Sequence, residues 1–191
     1  AADGLPGIDA ERIGMSGHSF GGWTTLMVTA RDRRIRAALP LAPAGGWSPL
    51  PSHPLTAALD FAWGRDVPTL FLVADSDTIL PLRGMHELLA RTSSTKQMVI
   101  LANADHMHFC DQIEQIHELF RMMPPPIFDQ VVHAIKPIAE LSAPEGAYRF
   151  TRGLGLAHMD AHLRGVEPAA SFLAGDLIAT LQAQGVIAAL A

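Results

Sequence analysis

The chain has 191 residues, enough for one domain with a buried core and too few to argue for two. With 49% hydrophobic and 17% charged residues the composition is that of a globular protein, and a formal charge of −5 supplies no basic stripe for nucleic acid. No apolar run is long enough to cross a bilayer, and the lone cysteine, Cys110, excludes an internal disulfide and a zinc-finger pattern.

The chain opens Ala1-Ala2-Asp3, with neither an initiator Met nor a charged-then-apolar leader, so a piece processed or cut from a longer chain is expected and the compartment stays open. Residues 13–16 (IGMS) read as a short buried strand ending at Gly17. Phe20, Trp23, Leu26, Met27 and Ala30 then recur at helical spacing to about Arg31. Residues 35–41 (IRAALPL) read as a second strand, with Pro40 expected at its end because proline cannot donate to a ladder. A Gly- and Pro-rich loop follows, then a short helix over about 55–63. Residues 69–74 (TLFLVA) are continuously apolar, as a strand covered on both faces should be. Asp75-Ser76-Asp77 comes next, and Pro81 opens a helix reaching about Arg91. Residues 97–101 (QMVIL) make a fourth strand that ends in a polar loop, 103–108. Strands alternating with helices predict an α/β fold with a parallel sheet flanked by helices on both faces. Beyond Asp111 the pattern is helical, over about 112–122, 127–141, 150–164 and twice more after Pro168, with the Pro124-Pro125-Pro126 run separating the first two.

Chemistry concentrates at three strand ends. Gly17-His18-Ser19-Phe20-Gly21 is a G-x-S-x-G pattern between a strand and a helix. There a serine on a tight turn is lifted above the sheet, flanking glycines remove clashing Cβ atoms, and the Phe20 N–H faces a developing oxyanion. The pattern alone is weak, since Gly and Ser are common; its strand-turn-helix setting gives it force. Asp77 follows the 69–74 strand and His106 follows the 97–101 strand, which is the chain order Ser, acid, His at the carboxyl ends of parallel strands.

On these residues the chain resembles the dienelactone hydrolase-like and platelet-activating-factor-acetylhydrolase-like α/β-hydrolases. IGMSGHSFGGWT resembles their nucleophile region, PTLFLVADSDTILP their acid strand and loop, and NADHMHFCD their histidine loop, while 150–177 is similar to their closing helices. The resemblance implies a serine esterase with Ser19 as nucleophile, Asp77 as orienting acid and His106 as base, acting on a small-molecule ester without a cofactor. It also implies a partial fold. In the family the nucleophile follows about the fifth strand, and a second oxyanion donor comes from an earlier loop. The edge of the 13–16 strand is therefore expected to pair with an N-terminal portion of a longer hydrolase or with another chain.

Alternatives stand beside each assignment. Asp75 could be the acid but is expected to cap its loop. His108 could be the base, but alternation turns it away from His106. Cys110 reads as an inert buried thiol. Asp105-His106-x-His108-x-x-Asp111 could ligate zinc, yet no further histidine cluster completes a dinuclear site and Ser19 would be left without a role. His18, Trp47, Trp63 and Met107 are candidates for substrate contact, with core packing as an equal alternative for the two tryptophans. Residues 1–191 form one domain, in which 122–148 is either a lid over the strand ends or a packing extension. A serine peptidase of the prolyl-oligopeptidase type, and an inactive hydrolase-like interaction domain, are the rival functions.

Overall fold

The computed structural model describes residues 9–50 and 53–191. Among these, five strands form one sheet in the order β1 (Ile13–His18), β2 (Ile35–Leu41), β3 (Thr69–Ala74), β4 (Lys96–Leu101) and β5 (Ala188–Leu190). The first four are parallel and β5 runs antiparallel to β4. This is the mostly parallel α/β-hydrolase-type sheet expected, with a helical C-terminal region. The expected strand bounds hold within two residues; β5 has no sequence signal, because three small or aliphatic residues carry no period.

Side-chain alternation divides β3 between two cores. Phe71 and Val73 face helices α1 (Phe20–Arg31) and α3 (Leu82–Arg91), where Trp23, Leu26, Met85 and Leu88 are buried. Leu70, Leu72 and Ala74 face helices α6 (Pro144–Met159) and α8 (Leu177–Ala183), where Phe150, Leu154, Leu177 and Leu181 are buried. The crossover helices thus cover one face and the C-terminal helices the other, which is why β3 reads as an unbroken apolar run.

Pro40 lies inside β2, opposite Gly17, and not at its end. Ala38 N–H donates to Pro68 O at 3.0 Å and Ala42 N–H to Leu72 O at 2.8 Å, so by the two-residue period Pro40 omits a single rung towards Leu70. The Arg65 guanidinium secures the α1–β2 turn by donating to the carbonyls of Ile35, Thr29 and Asp32 at 2.7, 2.8 and 2.9 Å.

Two helical expectations change. The helix α2 spans His53–Ala58 and stops before Trp63. The 127–141 stretch is not one helix. It breaks into a 3-10 turn at Pro126–Phe128, a short helix α5 (Asp129–Val132) and a second 3-10 turn at Ile138–Glu140. Pro137 pushes Lys136 out of the helical region and removes a backbone donor, so the apolar periodicity cannot propagate. Helix α4 (Ile113–Met122) precedes this segment, and α7 (Glu167–Ala174) follows a turn of π-helix at Asp160–Arg164.

Candidate active site

Ser19 occupies the one-residue junction between β1 and α1, with φ 60° and ψ −116°, a backbone region that L-residues rarely visit. The turn is held by its own ladder: Ser19 N–H donates to Leu41 O at 2.9 Å, while Ser19 O accepts from Ala44 N–H at 3.0 Å and Trp23 N–H at 3.1 Å. A Cβ on Gly17 would lie 2.5 Å from the carbonyl carbon and oxygen of Gly21, so only glycine fits there. The second glycine of the motif differs from the expectation. A Cβ on Gly21 would meet nothing within 4 Å, whereas one on Gly22 would press on Pro43 at 2.8 Å. The tight approach on the helix side falls one residue later than the pattern suggests. The Phe20 N–H is the first donor of α1, where a helix leaves donors without an intrahelical acceptor.

The loops after β3 and β4 are tied together, with Asp75 N–H donating to Leu101 O at 3.1 Å and Ser76 N–H to Ala104 O at 2.9 Å. Asp77 then divides its carboxylate. Oδ1 accepts from Ile79 N–H at 2.9 Å and Leu80 N–H at 2.8 Å, and Oδ2 lies 2.7 Å from His106 Nδ1. His106 Nε2 lies 2.8 Å from Ser19 Oγ. Asp77 and His106 are 4% and 5% exposed, so water competes weakly for either contact. With Nδ1–H donating to the carboxylate, Nε2 keeps its lone pair for the serine hydroxyl.

The neighbours sort themselves by contact. Asp75 is exposed and accepts from the Ser76 hydroxyl at 2.9 Å; Asp77, not Asp75, caps the loop. His108 points away from His106 because the pair sits on a 3-10 turn, His106–Phe109, and its Nε2 donates to Ser142 O at 3.1 Å. Asp111 reaches outward to Arg152 at 3.3 Å, while Asp105 contacts His108 and His117. The His18 ring lies 4.5 Å from that of His106, tilted by 42°, and its Nδ1 is 3.7 Å from Cys110 Sγ. Burial first, and the nearby His106 second, push the His18 pKa down to about 3, so that ring stays neutral. Burial pushes the Cys110 thiol up, with the Asp105 and Asp111 charges acting in the same sense, which keeps it protonated.

Residues 5–120, more than half of the chain, match the family model described as PET hydrolase-like. The chain belongs to the PET hydrolase-like family. Cutinase est1 of Thermobifida alba is 36% identical over 104 residues, which cover 52% of this chain and 30% of that protein. The bis(hydroxyethyl) terephthalate hydrolase of Streptomyces coelicolor is 34% identical over 103 residues, covering 52% and 29%. The chain thus spans less than a third of these relatives. A solved ferulic acid esterase from Streptomyces cinnamoneus superposes with a TM-score of 0.56 at 25% identity, over 85% of this chain and 44% of that one. The matched family region runs from the β1 edge into α4; the helices beyond it lie outside.

In this PET hydrolase-like chain an apolar cavity of about 220 Å³ opens beside Ser19, bounded by Phe20, Leu55, Ile79, Leu80, Ile127 and Phe128. None of the four sequence candidates for substrate contact is on that wall, and His18 packs against His106 and Phe109. Trp63 is buried in the core, stacked on Phe61 with its Nε1 donating to Asp60 O at 2.9 Å. Met107 is buried in the same core. Trp47 lies over α3, under the Arg83 guanidinium at 4.8 Å, with its backbone N–H on Glu87. Loop position suggests such contacts, but packing decides where each ring or thioether goes. Of the residues that do line the cavity, Ile127 and Phe128 had a signal in the apolar 122–148 stretch; Leu55, Ile79 and Leu80 had none.

Proposed function

We propose that this chain hydrolyses carboxylic esters through an acyl-enzyme on Ser19. The observation that carries the reading is the imidazole of His106 lying within hydrogen-bond reach of both Ser19 Oγ, at 2.8 Å, and Asp77 Oδ2, at 2.7 Å. His106 Nε2 takes the hydroxyl proton as Ser19 Oγ attacks the ester carbonyl; Asp77 orients the ring and stabilises the imidazolium. The Phe20 N–H donates to the tetrahedral oxyanion, and the imidazolium returns its proton to the leaving alkoxide. Water, deprotonated by the same nitrogen, then releases the acid.

The cavity supports an apolar acyl group. A 150 Å³ apolar cavity holds benzene, so about 220 Å³ takes a substituted ring or a short alkyl chain. The names of its relatives, cutinase, bis(hydroxyethyl) terephthalate hydrolase and ferulic acid esterase, all denote cleavage of esters. We assign 122–148 as a cover whose 3-10 turn, Pro126–Phe128, supplies the outer wall of that acyl site.

The test is turnover of p-nitrophenyl butyrate beside a matching peptide anilide, with fluorophosphonate labelling of Ser19. Ser19→Ala is expected to lose about a millionfold in kcat and all labelling. Comparable ester turnover by the variant would exclude Ser19 as the nucleophile, and preference for the anilide would make the chain a peptidase.

A further inference from the structure

His106 stands on a loop beyond β4, and its ring touches only Ser19 and Asp77 among hydrogen-bonding partners. Something else must hold the turn from which it projects. The residue before it, Asp105, is buried, and its carboxylate is an assembly point. Oδ1 accepts from Met107 N–H at 3.0 Å and lies 2.8 Å from His108 Nδ1, which is also 3.0 Å from the Asp105 N–H. Oδ2 lies 2.7 Å from Nε2 of His117, a fully buried side chain on α4. That approach is bent away from the ring's donor direction, so charge holds the pair more than hydrogen-bond alignment does.

His117 Nδ1 in turn lies 3.4 Å from Glu118 Oε1. Glu118 accepts from Ile138 N–H and Arg121 Nε, each at 3.0 Å. Ser142 completes the frame, accepting from His108, donating its hydroxyl to Ala102 O at 2.8 Å and its N–H to Asn103 O at 2.7 Å. The groups facing His117 are thus Asp105 and the edge-on ring of His108 from the turn, and Glu118 on α4 with Arg121 behind it. Burial opposes a charged ring at His117, but the Asp105 contact and the charges of Asp105 and Glu118 outweigh it and hold its pKa above the ordinary 6.5. Burial likewise opposes a charged Asp105, and His108 and His117 outweigh it, holding that carboxyl well below its usual range.

We propose that Asp105, clamped from behind by His117 of α4, is a positioning residue that fixes the turn carrying His106 within reach of Ser19 and Asp77. The inference rests on the triad reading above. Apolar packing could also fill this space, and a buried pair is costly to desolvate. A carboxylate, however, fixes both the direction and the distance of a turn's backbone donors, which greasy contact does not. Misplacing a catalytic group by about 1 Å costs on the order of 100-fold in rate.

The clamp is tested with His117→Leu, His117→Gln and Asp105→Asn, measuring kcat and KM on p-nitrophenyl butyrate per site titrated with a fluorophosphonate, across pH. Counting titrated sites removes unfolded protein from the comparison. Per site, His117→Leu is expected to lower kcat by about 10- to 100-fold with KM within about twofold. His117→Gln, which keeps a donor without the charge, should fall between. Because the His117 pKa is raised, the wild-type advantage over His117→Gln should be complete below pH 6.5 and vanish as pH rises through the folded value. Should His117→Leu yield no folded protein, Asp105→Asn and His117→Gln carry the decision. Per-site kcat within twofold of wild type in the variants, or a wild-type to His117→Gln ratio that ignores pH, overturns the clamp. A wild type that is not labelled at Ser19 defeats the triad reading instead.

Discussion

Ser19 is held at φ 60° by its surroundings, and those surroundings are two glycines with different duties. Gly17 admits the backbone of Gly21, and Gly22 admits Pro43; Gly21 itself faces open space. Gly17→Ala should therefore destabilise by about 1–3 kcal/mol and abolish most activity, because the atoms in the way are main chain and cannot yield. Gly21→Ala should fold with at least wild-type stability, since alanine also has the better helix propensity. Urea unfolding and ester turnover of the two variants check this; equal effects, or the reverse order, would count against it. At this scale the residues of the candidate site are legible in the sequence for a simple reason. Ser19, Asp77 and His106 each stand just past a parallel strand, and strand ends are what periodicity locates best. Asp105 and His117 were not legible, because a loop carboxylate meeting a helix residue twelve positions on leaves no characteristic spacing. Trp63 and Met107 misled because a side chain's direction out of a loop depends on packing that composition does not encode.

At the scale of elements, the segment between α4 and α6 departs furthest from its pattern. Its apolar residues recur as in a helix, yet prolines at 126 and 137 divide it, and the pieces find different neighbours. Val131, Val132 and Ile135 join the core under α1 and α3, whereas Leu141 packs elsewhere and Phe128 meets Phe120 edge to face at 5.0 Å beside the cavity. Because the anchors and the cavity wall are adjacent, acyl selectivity can be altered without unseating the segment. Phe128→Ala should lower kcat/KM for p-nitrophenyl butyrate by about 10-fold or more while changing the acetate far less, as expected for apolar area lost from one wall of a pocket. Equal losses on both esters would place Phe128 outside the acyl site. The C-terminal helices were recognisable as helices but not as the cover of the second sheet face, which needs the strand order to be known.

Across the whole molecule, two buried histidines are held neutral by their surroundings. His18 lies by the site, and His158 lies on the buried side of α6 with its Nε2 without a hydrogen-bond partner among the described residues. Burial, with His162 adding to it, pushes the His158 pKa down to about 4, against about 3 at His18. A lowered histidine binds its proton in the unfolded chain before the folded one, so stability is complete above pH 6.5 and falls as pH drops towards those values. Urea unfolding at pH 7, 6 and 5 should show this decline, and His158→Gln should reduce it; parallel curves would argue that His158 titrates freely. The sheet itself is asymmetric. One edge is β5, three residues antiparallel to β4, and the other is the six-residue β1, each with a single strand neighbour among the described residues. A strand added along the longer edge at β1 would run about 4.8 Å from the main chain that leads into Ser19. Pairing along that edge would therefore bear on the one-residue turn that sets the backbone of Ser19.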